Sequence, residues 1–255
     1  MTDDDRTLEL EVAVPGTPEE VWEAIATGPG ITSWYVPHTF AQEAGARAVC
    51  SFGPGPEMTV EGRVAAYEPP KRIVFDGGDE PGLAFEWLVE AADGGGCVVR
   101  LVNSGFGSGE EWDQQYDGMS QGWRMFLTNL RLHLEHFRGQ AAADAIPSAY
   151  WPGDRTAAWR RLAADLGVDP APAVGDRYEV STPDAPALAG TVMETNPWRI
   201  SLLLDEPAPG TALIAAEGMG DVIGVSVWLY LYGPDRVAVA ERQQDAWGQW
   251  LAARA

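Results

Sequence analysis

The sequence predicts an α+β protein in which one unit, an antiparallel sheet with a long amphipathic helix laid against it, occurs twice in tandem, the second time in degenerate form. Three observations predict this. Pro15-Gly-Thr-Pro-Glu-Glu-Val-Trp22 is echoed by Pro152-Gly-Asp-Arg-Thr-Ala-Ala-Trp159, with the same spacing of proline, glycine and tryptophan. Each echo is followed by a series of short strand-like runs broken by glycine, proline or acidic turns. Each series closes on a helical pattern that carries tryptophan and leucine.

The elements follow in order. Leu8, Leu10, Val12 and Val14 recur every second residue and predict a strand. Thr17 can cap the next element, with Pro18 in its first turn and Glu19 and Glu20 favourable at a helix N-terminus. Val21, Trp22 and Ile25 form the buried face of that short helix, which Gly28-Pro-Gly30 ends. Ile31 to Tyr35 reads as a second small helix. Strands are predicted at Arg47–Phe52, Met58–Ala65, Arg72–Asp76, Ala84–Val89 and Val98–Val102. Their hairpin-sized connections imply an antiparallel sheet, and Gly94-Gly-Gly96 reads as one of those turns.

Trp123, Leu127, Leu130, Leu134 and Phe137 then step by four, three, four and three residues. That spacing places them in one stripe of a helix predicted over Ser120–Phe137, with Gly139 as its stop. Glu110-Glu111-Trp112-Asp113 reads as a solvated acidic loop before it, with a cation or basic-partner site as the alternative.

Gly139–Ser148 is an alanine-rich connection, after which the plan restarts. Trp159, Leu162, Ala163 and Leu166 form a helical face. Strands are predicted at Arg177–Val180, Gly190–Glu194, Arg199–Leu204, Leu213–Glu217, Val222–Tyr232 and Val237–Ala240. A final, shorter helix carries Trp247, Trp250 and Leu251, the spacing of Trp123, Phe126 and Leu127.

The offset between matched positions drifts. It is 137 at Trp22 and Trp159, 130 at Arg47 and Arg177, 127 at Ile73 and Ile200, and 124 at Trp123 and Trp247. The second copy has therefore lost residues mainly in connections. The first seven vanish where copy one holds Ile31-Thr-Ser-Trp-Tyr-Val-Pro37, so copy two should lack the small second helix. Domains are expected at 1–140 and 141–255.

The chain has 255 residues, 45% of them hydrophobic, enough for a sizeable core. A formal net charge of −21 argues against nucleic acid or an anionic membrane as partner and otherwise serves solubility. Cys50 and Cys97 lie in strand-like apolar runs and read as buried free thiols, with a single disulfide as the alternative. The start Met1-Thr-Asp-Asp-Asp lacks the basic and apolar pattern of a secretion signal. No apolar run approaches membrane-spanning length. The cytoplasm is the expected location.

No nucleophile elbow, phosphate loop or Cys-x-x-Cys motif occurs, and no catalytic set, metal site or cofactor is implied. The histidines are His38, His133 and His136. His133 flanks the stripe of the long helix, where it could reach a cavity as an acid or base. A helix-flank histidine bonded to a neighbour is the plainer alternative.

Three segments resemble the START-like, or SRPBCC, superfamily, in its branch named for homologues of the heat-shock chaperone ATPase activator. They are Thr17-Pro-Glu-Glu-Val-Trp22, Tyr67-Glu-Pro-Pro-Lys-Arg-Ile-Val-Phe75, and Gly122-Trp123 followed by Leu127, Leu130 and Leu134. The second half resembles that superfamily only through the repeat. The resemblance implies a helix-grip fold, in which a curved sheet wraps the long helix and the gap between them often forms an apolar cavity. It also implies three functions. The first is a binding protein for a small hydrophobic ligand, the second a chaperone-contacting module, the third a polyketide cyclase- or hydrolase-like enzyme.

With no catalytic set in view, ligand binding leads. The aromatic supply of the first copy names the candidate cavity walls. Phe85 and Trp87 share one strand face, Phe75 shares another with Ile73, and Trp123 and Leu127 come from the covering helix. Trp34 and Tyr35 sit where the small helix could close the mouth. Plain core is the alternative for each of them.

Overall fold

A computed structural model describes residues 6–53, 55–78, 82–218 and 221–255. The start of the chain, Met1 to Asp5, lies outside them. The chain divides into two compact units, Met1–Ala141 and Ala142–Ala255.

In the first unit the elements run β1 (Arg6–Val14), α1 (Pro18–Ile25), α2 (Gly28–Thr32), β2 (His38–Phe40), β3 (Arg47–Ser51), β4 (Thr59–Glu68), β5 (Arg72–Asp76), β6 (Ala84–Ala91), β7 (Cys97–Phe106) and α3 (Glu110–His136). The seven strands form one antiparallel sheet in the order β1-β7-β6-β5-β4-β3-β2. Thr17 caps α1 through a reciprocal pair: its hydroxyl accepts from the Glu20 N–H, and Glu20 Oε2 accepts from the Thr17 N–H at 2.8 Å.

The helix stripe predicted from spacing is buried throughout: Trp123, Leu127, Leu130, Leu134 and Phe137 are each at most 9% exposed. Burying a side chain of this size stabilises by roughly 1.5–3 kcal/mol. A glycine in a helix interior costs only about 1 kcal/mol. The stripe therefore carries the helix through Gly118 and Gly122.

That helix begins at Glu110, ten residues before the predicted start, so the acidic run expected as a loop is its first turn. Polar helix-formers dominate this stretch, and its apolar signal is two aromatics at i and i+4. Trp112 and Tyr116 both pack against Phe106, with ring centroids 6.3 and 5.1 Å apart. Strand β2, only three residues long, is too short to show a period and was missed by pattern reading.

The second unit runs β8 (Ala143–Ala145), β9 (Ser148–Pro152), α4 (Arg155–Leu166), β10 (Arg177–Glu179), β11 (Ala189–Asn196), β12 (Arg199–Glu206), β13 (Gly210–Glu217), β14 (Val222–Leu231) and α5 (Arg236–Ala252). Its sheet order is β10-β11-β12-β13-β14-β8, with β9 also on β14. This is the order of the first sheet without a β2. No helix separates α4 from β10, so the counterpart of α2 is missing among the described residues, as the seven-residue deficit predicts.

Two expectations are corrected. The alanine-rich connection contains β8 and the start of β9, one edge strand interrupted at Ile146-Pro147. Proline has no N–H to give the ladder, but the Pro147 carbonyl still accepts from Val227 N at 3.2 Å. Val237–Ala240, expected as a strand, is the first turn of α5. Val237 is 56% exposed and Ala240 is buried, a helical alternation that four apolar residues in a row conceal.

The two copies match down to an irregularity. In β4 the ladder to β5 slips between Val64 and Ala66, and in β11 the ladder to β12 slips between Val192 and Glu194. Both valines are fully buried. Val64 exchanges bonds with Gly45 and Ala46, and Val192 with Gly175 and Asp176, at 2.8–3.0 Å. A shared bulge of this kind re-aims a strand and is a designed feature of a fold.

Candidate functional site

The first unit holds a cavity of about 500 Å³ between its sheet and α3. Three parts of the chain build it, and the segment from α2 to β2 sets its geometry. Thr27 Oγ1 accepts from Gly30 N at 3.0 Å and donates to Glu23 O at 2.8 Å, which folds α2 back on the end of α1. Any Cβ at Gly30 would lie 1.9 Å from the Glu23 carbonyl oxygen, so only glycine allows that approach.

Trp34 then locks the segment. Its indole N–H donates to Ala24 O at 2.9 Å, and its carbonyl accepts from Asn129 Nδ2 of α3 at 2.8 Å. Its ring meets Trp87 edge-on at 5.4 Å. With Trp34 fixed, the next residue, Tyr35, is wedged between α3 rings, 4.8 Å from Trp123 and 4.5 Å from Phe126.

The sheet contributes Ala48, Val49, Phe75, Phe85 and Trp87 to the cavity, and α3 contributes Met119, Gly122, Trp123 and Phe126. Ile31, Tyr35 and His38 come from the α2–β2 segment. Glu61, Arg63 and Asp76 supply the charged part of the lining. Arg63 grips Asp76 with two bonds of 2.9 and 3.3 Å.

Five of the seven residues proposed from sequence therefore face the cavity: Tyr35, Phe75, Phe85, Trp87 and Trp123. Trp34 does not. It is fully buried and serves as the anchor described above. Leu127 does not either. At about 100° per residue it is turned about 40° to one side of Trp123, whereas Met119 and Phe126 turn about 40° and 60° to the other. Leu127 is part of the core, 4% exposed.

Sequence reasoning missed His38, Cys50, Phe52, Met119 and Phe126, which also line the cavity. Phe126 had a usable signal, an aromatic one turn from Trp123 beside its stripe. His38 had none, because its strand was not seen.

The polar groups in the walls are few. Burial drives the His38 imidazole down to about 4, against a smaller upward pull from its bond to Val36. His38 Nδ1 lies 2.7 Å from Val36 O. Since a carbonyl only accepts, that nitrogen carries the hydrogen. Burial raises the Tyr35 phenol well above its ordinary value, with the nearby Cys50 adding to the shift. The Cys50 thiol is raised for the same reason, burial. His133, considered above as an acid or base, is buried and is not among the cavity walls. It lies seven residues beyond Phe126, about 10 Å along the helix axis. Among the described residues, no three His, Cys, Asp or Glu side chains gather as a metal site. Among the described residues, no helix is long and apolar enough to cross a membrane.

In the second unit the matching positions belong to a buried core. Where β5 and β6 carry Phe75, Phe85 and Trp87, matching register in β12 and β13 gives Leu202, Ala212 and Ile214. These three pack with Trp247, Trp250 and Leu251 of α5 into one buried cluster. The wall made by Ile31, Tyr35 and His38 has no counterpart, because the second copy lacks that segment.

A sheet that grips a long C-terminal helix, with short helices between its first two strands, makes the first unit a helix-grip domain, and the second is an abbreviated copy. Residues 15–135 match the family model described as Activator of Hsp90 ATPase homolog 1-like protein. Over those residues the first unit is similar to that family, and its fold is that of the START-like, or SRPBCC, superfamily.

Among solved structures, the chain is similar to the Aha1 dimer of Colwellia psychrerythraea at 19% identity, with 52% of this chain and 99% of that one covered and a TM-score of 0.44. It is similar to DynU16 of the dynemicin biosynthetic locus at 18% identity, covering 97% and 96% with a TM-score of 0.44. It is similar to the di-domain ARO/CYC BexL of the BE-7585A biosynthetic pathway at 14%, covering 96% and 94% with a TM-score of 0.45. No curated protein matches the sequence.

Proposed function

We propose that the first unit binds a small hydrophobic molecule in the cavity between its sheet and α3, with Tyr35, Phe75, Phe85, Trp87 and Trp123 as walls. One observation carries this reading: aromatic and aliphatic side chains from three separate elements converge and leave about 500 Å³ unfilled. A packed interior leaves few voids larger than a water molecule, and this volume lies within the usual range for small-molecule sites. In the second copy the matching positions lie in a buried core cluster with Trp247, Trp250 and Leu251. In this reading domain 1–140 binds and domain 141–255 is a degenerate, closed relative of it, in a cytoplasmic protein.

Two measurements test the proposal. Native mass spectrometry of freshly purified protein is expected to show a retained non-protein mass. Pyrene, an uncharged aromatic probe, is expected to bind with quenching of tryptophan fluorescence, since Trp87 and Trp123 line the space. Absence of both effects overturns it.

A second reading is favoured by the family match alone: a contact module for a heat-shock chaperone. Retention of a chaperone at stoichiometric level from cell extract, with no effect of pyrene on that retention, supports it over ligand binding.

A further inference from the structure

We infer that the cavity selects an uncharged hydrophobic molecule bearing a hydroxyl group, which His38 and Tyr35 hydrogen-bond, and that it rejects the carboxylate of the same skeleton. This rests on the reading that the cavity holds an apolar ligand, and narrows the class.

The wall chemistry dictates it. His38 spends its Nδ1–H on Val36 O, so the neutral ring presents Nε2 as an acceptor. That nitrogen has no hydrogen-bond partner among the described residues. Burial keeps the ring neutral down to about pH 4, so it offers no positive charge to an acid. The Tyr35 hydroxyl likewise has no hydrogen-bond partner among the described residues, although the residue is only 9% exposed. Both side chains line the cavity and neither atom is sealed in the core, so a polar group that enters can reach them. The two rings are neighbours, 5.4 Å between centroids. A ligand hydroxyl can donate to the imidazole and accept from the phenol, and so satisfies both at once.

A carboxylate meets the opposite situation. It cannot donate to Nε2, and burial strips its water. The guanidinium that lines the cavity, Arg63, already holds Asp76, while Glu61 is bonded by Arg47 outside the cavity. Among the described residues no other cation lines the cavity, and a net charge of −21 disfavours approach of an anion.

The test uses the full chain and three probes of one shape at pH 7: pyrene, 1-hydroxypyrene and 1-pyrenecarboxylate. Affinity is read by tryptophan quenching and calorimetry. The hydroxyl compound is expected to bind about fivefold or more tighter than pyrene, the net worth of a buried hydrogen bond. The carboxylate is expected to bind about tenfold or more weaker than pyrene. In His38→Phe, and independently in the near-isosteric Tyr35→Phe, the ratio of hydroxypyrene to pyrene affinity is expected to fall towards one.

A carboxylate that binds as well as hydroxypyrene overturns the inference and leaves the ligand-binding reading standing. So does a hydroxyl compound no tighter than pyrene, or a preference that survives in both variants. Failure of all three probes to bind overturns this inference, and together with no retained mass in native mass spectrometry it removes the underlying reading as well.

Discussion

Asn129 of α3 donates a 2.8 Å hydrogen bond to the main-chain carbonyl of Trp34, a contact across 95 residues of sequence. Both residues are fully buried. The bond ties the middle of the long helix to the segment that delivers Tyr35 and His38, and so couples one wall of the cavity to another. Asn129→Ala leaves the Trp34 carbonyl without its donor, a loss of about 1–3 kcal/mol. Urea unfolding is expected to show that loss in the first unit, and pyrene affinity is expected to fall as Tyr35 loosens. Unchanged stability and affinity would show that the bond positions nothing.

Gly122 offers the opposite experiment. It lies on the cavity side of α3, and a Cβ built there would have no atom within 4 Å. The matching residue of the second copy is Ala246. Gly122→Ala is expected to stabilise by about 0.5–1 kcal/mol through helix propensity alone. Gly122→Leu extends into the empty space and is expected to abolish pyrene binding while leaving the protein folded. Full binding by the leucine variant would place the ligand elsewhere.

Much of this architecture was legible in the sequence because the period of a buried stripe is robust. The spacing of Trp123 to Phe137 located α3, and the drifting offset of the repeat located the missing α2 of the second copy. Failure came where the signal is short or mixed. Three residues, His38 to Phe40, cannot show alternation. Val237 to Ala240 is apolar in every position and fits either period. The β8–β9 edge is written in alanine and broken by Pro147. At the site, aromatic identity found most walls but could not separate Trp34 from Tyr35. Adjacent residues face different ways, and which one anchors is settled by Ala24 O and Asn129, partners distant in sequence.

Cys50 reports on the cavity from within. It lines the space, whereas Cys97 is 1% exposed and its thiol faces Gly16 O at 3.5 Å. Burial raises the Cys50 thiol above its ordinary value, so the reactive thiolate is scarce at neutral pH. N-ethylmaleimide is expected to label Cys50 slowly at pH 7 and faster at pH 9, with saturating pyrene slowing the reaction. Peptide mass spectrometry assigns the site. Equal labelling of Cys97 in the folded protein, or no protection by pyrene, contradicts the placement.

His133 predicts how stability responds to acid. Burial holds its imidazole at about 4 in the folded chain, against 6.5 for the ordinary side chain. Above pH 6.5 both states are neutral there and the residue contributes no pH dependence. Between 6.5 and about 4 the unfolded chain takes the proton and the folded chain does not, so stability falls as the pH falls. Each pH unit within that window removes about 1.4 kcal/mol. Below about 4 both states carry the proton and the loss stops growing. His133→Gln keeps a polar side chain of similar size and cannot titrate. Between pH 7 and pH 4.5 the natural protein is expected to lose about 2–3 kcal/mol more than this variant in urea unfolding, carboxylate effects being common to both. Parallel losses in the two proteins would mean that His133 is protonated in the folded state, and that its surroundings are wetter than its 3% exposure describes.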